Sequence, residues 1–538
     1  MKKKLKITDQ IILAMSNEKK ANENGQRAEL TEVNFETAIS ATGFGKFNFL
    51  LLALSVPCAW ASMMDTSSMS YVVPAAHCDL DLSLQQRGML NAITYLGMIT
   101  SALGWGFLAD TLGRKKILIS GYITDAICVA IAGLAQSYEM LLTAKFFTGL
   151  IMNGPFAALT TALSEFHCAK YRTRVVMVLG IMYSLGQLVI PALAWLIIPR
   201  NLDFVEFNGN LKLHSWNFFI LICAIPSLIA AVGHCFLPES PKFLMTVGKN
   251  DEALRVFKKV YSCNTGNDPD TFPIKSLIDE TKLNTGGKHG GAVTANRTKI
   301  QALKEGWQQI APMFFPPHLW KISLAAMIQC GLMLGTNTLR LWLPQIFTAM
   351  NDYQLSHINE TASLCTMLET ITPTANVTTL TTECIVNDVS DSVYINSMIV
   401  SATSVVGYLV ISATVNKLGK KPTLIVLSVL SGIASLCFYF AQNSATVVAL
   451  SAINVTFLGI CLNLELAVVV DMFPTTLRAI AVSITLMIGR SGAMFGNVVF
   501  PYLLALGCMP PFLLVGAVVL SCTGLETLLP KTDLKALE

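Results

Sequence analysis

The chain reads as an all-α membrane protein of twelve transmembrane helices in two six-helix pseudo-repeats. Three observations lead there. The 538 residues are 53% apolar and only 13% charged, with mean hydropathy +0.55, a composition foreign to soluble globular domains. Twelve apolar segments are each long enough to cross a bilayer core about 30 Å thick, which takes roughly 20 helical residues. A charged signature also recurs at an offset of 306 residues: Asp110-Thr111-Leu112-Gly113-Arg114-Lys115, then Asn416-Lys417-Leu418-Gly419-Lys420-Lys421. The same offset carries Glu165 onto Asp471, Arg172 onto Arg478 and Gly186 onto Gly492. Matching charges and glycines at one constant spacing imply two related halves in tandem.

The segments of the first half run at about 47–73, 87–109, 117–137, 140–163, 175–198 and 215–237. Those of the second run at about 320–348, 393–415, 423–441, 445–469, 479–505 and 510–529. The chain therefore divides into an N-terminal segment 1–46, a first bundle 47–237, a central loop 238–318, a second bundle 319–529 and a tail 530–538. Several segments contain Gly or Pro, which membrane helices tolerate because neighbours satisfy the freed backbone groups.

Of 38 Lys and Arg, 31 fall on the face that carries both termini and the central loop, against Arg87, Arg200 and Lys212 on the other. The positive-inside rule then predicts cytosolic termini and a cytosolic central loop. The first segment follows 46 mostly polar residues and is expected to act as the targeting signal itself. The net charge of +4 follows from the asymmetry. It suits anionic lipid and gives no reason to invoke nucleic acid.

Seven of the 14 cysteines, among them Cys58, Cys223 and Cys461, lie inside apolar segments, where a small buried hydrophobe is the ordinary role. No Cys/His spacing reads as a metal site, and no cofactor is expected. Cys365 and Cys384 share the outer loop 349–392, which lacks Lys and Arg and carries the sequons Asn359-Glu360-Thr361 and Asn376-Val377-Thr378. A Cys365–Cys384 disulfide in a loop glycosylated at Asn359 and Asn376 is the expectation.

In the central loop, Asn250 through Lys259 reads as an amphipathic helix with Ala253, Leu254 and Phe257 on one side. The stretch 262–296, rich in Gly, Thr, Asn and Asp, reads as flexible, with no separate soluble domain.

The repeated signature carries its own chemistry. Asp110 ends the second segment, with Arg114, Lys115 and Lys116 one turn onward. A carboxylate there can pair with cations on the other half, while a glycine such as Gly106 permits close helix approach. The expected role is a conformational latch, a two-state element completed by Glu165 with Arg172 and by Asp471 with Arg478. A topogenic charge cluster without a gating role is the alternative. The second copy, Asn416, Gly419 and Lys420, lacks the acid, so its latch must be weaker or use other partners.

These residues also carry a resemblance. Gly106-Phe107-Leu108-Ala109-Asp110-Thr111-Leu112-Gly113-Arg114-Lys115 resembles the loop signature of the major facilitator superfamily. Pro238-Glu239-Ser240-Pro241-Lys242-Phe243-Leu244 resembles an element shared by sugar porters, organic-ion transporters and the synaptic vesicle glycoprotein 2 group. Arg87-Gly88-Met89-Leu90, Ser164-Glu165-Phe166, Ala194-Trp195 and His214-Ser215-Trp216 are similar to the last of these. The resemblance implies the major facilitator fold, rocking of two halves, and a monomer moving a small organic solute.

Departures from that group bear on function. Its pair of acids in the first helix reads Ser62 and Asp65 here, so one survives. Its cavity-lining Trp and Asp of the tenth helix correspond to Leu462 and Leu466, with Glu465 one position off. Trp195 and the basic residue Arg490 are retained. That group's best-known members carry a long luminal domain where this chain has the short loop 349–392, so that domain's binding partners do not transfer.

An ionisable side chain within a membrane segment costs roughly 2.5 kcal/mol or more and marks a candidate site. Asp65, in Asp65-Thr66-Ser67-Ser68-Met69-Ser70, is the first candidate for a proton- or cation-binding carboxylate. Arg340, Glu465 and Arg490 form a second set, in which Glu465 and Arg490 are expected to make a buried ion pair. Asp125 and Lys145 are weaker candidates, Trp195 and Trp342 are possible stacking surfaces, and Gln187 and Asn337 suit a hydroxylated ligand. No Walker A motif or catalytic triad occurs, which argues against a nucleotide-driven pump and against an enzyme.

Three readings stay open: secondary transport of an organic solute, by uniport or coupled to protons; a transport-inactive vesicle membrane protein acting in trafficking or binding; and sugar or organic-cation uptake at the plasma membrane.

Overall fold

Every predicted apolar segment is helical in the computed structural model, which describes residues 33–200, 202–206, 211–278, 311–357, 362–368, 389–473 and 475–530. The first half comprises α2 (Lys46–Ser67) with α3 (Met69–Ala76), α4 (Leu84–Leu112), α5 (Arg114–Gly133), α6 (Tyr138–Glu165), α7 (Ala169–Ile197), and α8 (Ser215–Cys223) with α9 (Ile225–Phe236). A two-stranded hairpin, β1 (Phe204–Glu206) and β2 (Leu211–Leu213), joins α7 to α8. The second half comprises α12 (His318–Ser356), α14 (Asp391–Leu418), α15 (Lys420–Cys437), α16 (Ser444–Met472), α17 (Thr475–Leu506) and α18 (Met509–Glu526). Among the described residues, eleven helices are long and apolar enough to cross a membrane. The 29-residue α4 supplies the remaining predicted segment.

Local chemistry sets the boundaries. Ser83 and Gln86 form a reciprocal capping box at the start of α4, and the Asn443 side chain accepts from the Thr446 amide at the start of α16. Gly113, between α4 and α5, has φ 90°; Gly419, between α14 and α15, has φ 85°. Any side chain would be strained at either position, so the two signatures repeat as backbone conformation as well as sequence.

Contacts cluster the chain into two compact units. The larger contains all twelve spans and both halves. Within it α12 lies along α17, α17 also packs on α4, and α12 on α3, so the interface between halves runs through α4, α17, α3 and α12. Gly186 of α7 packs against the Trp60 and Met63 side chains of α2, and Gly492 of α17 against the Cys330 backbone of α12, so the equivalent pair of helices meets at a glycine in each half. The core includes Trp342, which is fully buried and packs against Phe500 with ring centroids 4.7 Å apart and planes tilted by 30°.

The smaller unit takes residues from Met1–Phe49, Glu165–Lys170 and Glu239–Asn296. Here α1 (Phe35–Ala41), α10 (Pro241–Thr246) and α11 (Asn250–Thr265) bury Phe35, Ile39, Met245, Phe257 and Phe272 together, and Val33 bridges Leu277. The expectation of a central loop without a domain of its own is corrected by this core. Each segment alone has too little apolar surface to bury, but pooled faces from the N-terminal segment and the loop suffice. Of the stretch read as flexible, Phe272, Ile274 and Leu277 are buried.

A second correction concerns the outer loop. Cys365, in the short helix α13 (Leu364–Leu368), is bonded to Cys508 at the start of α18, 143 residues away, and not to Cys384. The Leu364 amide donates to the Ala441 carbonyl at 2.8 Å, which holds α13 against the second half. Spacing within the loop carries no trace of that long-range docking. Cys78 is also disulfide-bonded. Cys384, Asn359 and Asn376 lie outside the described residues.

Candidate functional site

Lysines placed by the repeat make equivalent contacts in both halves. Lys115 Nζ donates to the Cys235 carbonyl at the end of α9 (2.9 Å), and Lys421 Nζ to the Thr527 carbonyl after α18 (2.7 Å). Each ammonium meets the carbonyl-rich, negative end of the last helix of its own half. Lys420 Nζ of the second signature lies 2.6 Å from Asp471 Oδ2.

Other latch residues fall differently. No ion pair joins Asp471 to Arg478 among the described residues, because Asp471 is engaged by Lys420. Arg172 Nε donates to the Ser164 carbonyl (2.9 Å) and Arg114 Nη1 to the Ala109 carbonyl (3.1 Å), closing their own turns. Glu165 is buried and belongs to the smaller unit. A side chain at Gly106 would meet open space, so that glycine is not a close-packing point here. Gly97 and Gly149 hold that role, each against the backbone of the other's helix, α4 and α6. The side chains of Asp110 and Asn416 lie outside the described residues.

Between the halves lies a small cavity of about 30 Å³, enough for about two waters. Met63, Ser67, Ser70, Tyr71 and Gln187 line it from the first half, and Arg340, Ser397 and Ser401 from the second. Arg340 is held by Asn337 Oδ1 (2.7 Å), the Tyr95 hydroxyl (3.3 Å) and Met63 Sδ (3.6 Å). The Tyr95 hydroxyl donates in turn to Asn337 Oδ1 at 2.8 Å, tying α4 to α12. Arg490 on α17 donates to Asn153 Oδ1 on α6 at 2.6 Å, a second bond between halves.

Behind this cavity, inside the first half, Asp65, Asp125 and Lys145 are brought together at 2%, 0% and 1% exposure. Lys145 Nζ donates to the Asp65 main-chain carbonyl (3.0 Å) and to Ser68 Oγ (3.3 Å), at the junction of α2 and α3. Asp125 Oδ2 accepts from Ser227 Oγ at 2.6 Å, whereas Asp65 Oδ2 and Asp125 Oδ1 have no hydrogen-bond partner. Asp65 interacts electrostatically with both Asp125 and Lys145. One cation thus serves two carboxyl groups in an apolar interior.

The expected Glu465–Arg490 pair does not form. Both Glu465 carboxyl oxygens are buried without a partner, and Arg490 is taken by Asn153. Glu465, one position off the cavity-lining positions of its helix, lies inside the second half, where it interacts with Glu526; Glu526 Oε1 accepts from Ser428 (2.8 Å). Trp195 is also displaced from the cavity: it is 41% exposed and donates to Asp391 Oδ1 (2.8 Å), joining α7 to the start of α14.

Sequence reasoning missed Tyr95, Asn153 and Glu526. A buried acid in an apolar segment was a signal available for Glu526. Tyr95 and Asn153 offered none, since their importance comes from the arginines opposite.

Comparison with known proteins supports this architecture. A sequence model described as "Sugar (and other) transporter" matches residues 58–373, and one described as "Major Facilitator Superfamily" matches 362–535. Synaptic vesicle glycoprotein 2B of Rattus norvegicus is 28% identical over 329 residues, 59% of this chain and 48% of that protein. Synaptic vesicle glycoprotein 2A of Homo sapiens is 31% identical over 244 residues, 45% of this chain and 33% of that protein. The chain spans about half or less of the length of these relatives. In structure it is similar to a D-xylose–proton symporter (TM-score 0.61, 16% identity, 91% of this chain and 100% of that one). It is likewise similar to the xylose transporter XylE of E. coli in a partially occluded inward-open conformation (TM-score 0.60, 14% identity, 89% and 98%). The chain belongs to the sugar (and other) transporter family of the Major Facilitator Superfamily, as a multi-pass membrane protein.

Proposed function

We propose that the protein is a secondary transporter of a small organic solute, working by alternating access and coupled to protons through Asp65, Asp125 and Lys145. The observation that carries this reading is the cavity lined from both halves by polar and apolar side chains, with hydrogen bonds rather than ion pairs bridging the halves beside it. Such bonds are weak enough to break and reform as one half rocks against the other.

The acid cluster supports coupling. With Lys145 charged, the cluster is neutral only when one of its two carboxyl groups holds a proton, and in an apolar interior neutrality dominates the energy. Lys145 grips the main chain where α2 gives way to α3, and Met63, Ser67, Ser70 and Tyr71 of those helices line the cavity. A proton entering or leaving Asp65 redistributes the pull on Lys145 and so moves the cavity wall. Cytosolic termini, with Asn359 and Asn376 glycosylated on the opposite side, complete the reading.

A second reading, a vesicle membrane protein that binds ligand without flux, draws support from the similarity to synaptic vesicle glycoproteins 2A and 2B. Uptake of a metabolite panel by reconstituted protein, with and without a pH gradient, separates the two. Gradient-stimulated uptake that Asp65→Asn abolishes is expected; absence of uptake by folded protein rejects transport.

A further inference from the structure

Two arginines stand in the middle of the membrane domain with only neutral partners. Arg340 lines the cavity and meets Asn337, Tyr95 and Met63, and its buried Nε has no partner. Arg490 meets Asn153. Arg340 bonds the Tyr95 hydroxyl, and Asn153, which Arg490 holds, donates to the Met98 carbonyl one turn along α4 from Tyr95, so both guanidinium groups are anchored at one stretch of α4. Among the described residues neither makes an ion pair. The acids of the membrane interior lie elsewhere, Asp65 and Asp125 beside Lys145, and Glu465 near Glu526 inside the second half.

Arginine does not shed its charge in a protein, and a buried charge without a counterion is costly. A neutral polyol would leave both charges uncompensated, and an organic cation would be repelled by them. A carboxylate satisfies both, because its two oxygens accept the guanidinium fork in charge-assisted bonds stronger than those to an amide oxygen.

We propose that the solute carried by this protein is a carboxylate-bearing organic anion, held between Arg340 and Arg490. The proposal rests on the transport reading above and names its substrate class. It also links loading to movement. Arg490–Asn153 ties α17 to α6, and Arg340–Tyr95 ties α12 to α4. A carboxylate that takes over the guanidinium groups releases both ties, so the loaded protein is freer to rock than the empty one. Ser67, Ser70, Gln187, Ser397 and Ser401 then receive the polar remainder of the solute as the cavity widens.

The test uses purified full-length protein in detergent, with thermal stability read against benzoate, succinate and other small carboxylates, each beside its amide. At least one carboxylate is expected to stabilise the wild type saturably while its amide does not. Arg340→Gln and Arg490→Gln should each weaken that binding at least 10-fold, with Arg340→Lys and Arg490→Lys retaining part of it. Asn153→Asp, which sets an internal carboxylate against Arg490, should also abolish it and keeps the test open if the Gln variants fail to fold. No carboxylate stabilising beyond its amide, or full binding by the Gln variants and Asn153→Asp, overturns the proposal. Uptake by the same preparation in liposomes separates the two levels. Flux of amides or hexoses but not of carboxylates keeps transport and rejects the anion, whereas carboxylate binding without flux keeps the anion site and rejects transport.

Discussion

Lys145 directs its ammonium at the main-chain carbonyl of Asp65, 3.0 Å away, and not at the Asp65 carboxylate. The lysine therefore holds the backbone at the α2–α3 junction, while Asp65 Oδ2 is left without a hydrogen-bond partner.

Asp65→Asn should remove gradient-driven accumulation, a loss of 10-fold or more, while solute exchange without a gradient persists. Parallel measurements of accumulation and counterflow in liposomes check this; unchanged accumulation excludes Asp65 as the coupling group. Lys145→Met should be worse for stability than Asp65→Asn, because it strips the junction carbonyl of its donor and leaves two carboxyl groups without a cation.

The Lys420–Asp471 ion pair is partly solvated, with side chains about a third exposed. Breaking it by Asp471→Asn should cost only about 0.5–1 kcal/mol. If it biases the conformational equilibrium, the population ratio shifts about two- to five-fold. Cysteine-accessibility labelling of cavity positions reads that ratio directly, and the effect should shrink at high salt.

Glycines offer a contrast. Gly492→Ala would drive a methyl group into the α12 backbone at Cys330 and should cost roughly 2–3 kcal/mol through overpacking. Gly106→Ala meets open space and should be neutral or slightly stabilising, since alanine is the better helix former. Thermal unfolding of the two variants decides it.

Removing the Cys365–Cys508 bond by Cys508→Ser should destabilise the second half by about 2–4 kcal/mol. Thermal unfolding with and without reductant checks this: reductant should lower the wild-type midpoint and leave that of the variant much less affected.

How much of this was readable in the chain varies from residue to residue. The spans were readable because twenty apolar residues in a row admit few other structures. Gly113 and Gly419 were readable as matched members of a repeated signature, and the structure adds that both take the same positive-φ conformation. Asp65 stood out as a charge in an apolar segment. Its neighbours Asp125 and Lys145 were visible for the same reason, but their convergence was not. Glu465 misled: hydropathy ranks residues along a helix without saying which side faces lipid, bundle core or cavity, since lipid and protein interior are both apolar.

The sequence by itself determined the class, the twelve spans, the two halves and their matching signatures, all of which depend on local composition and repetition. Tertiary structure alone decided which polar groups meet: Lys145 with the Asp65 backbone, Arg490 with Asn153, Cys365 with Cys508, and the N-terminal segment with the central loop. The physical reason is helix rotation. A turn of about 100° per residue sends a side chain into lipid, a neighbour or the cavity, and only packing against other helices selects among them.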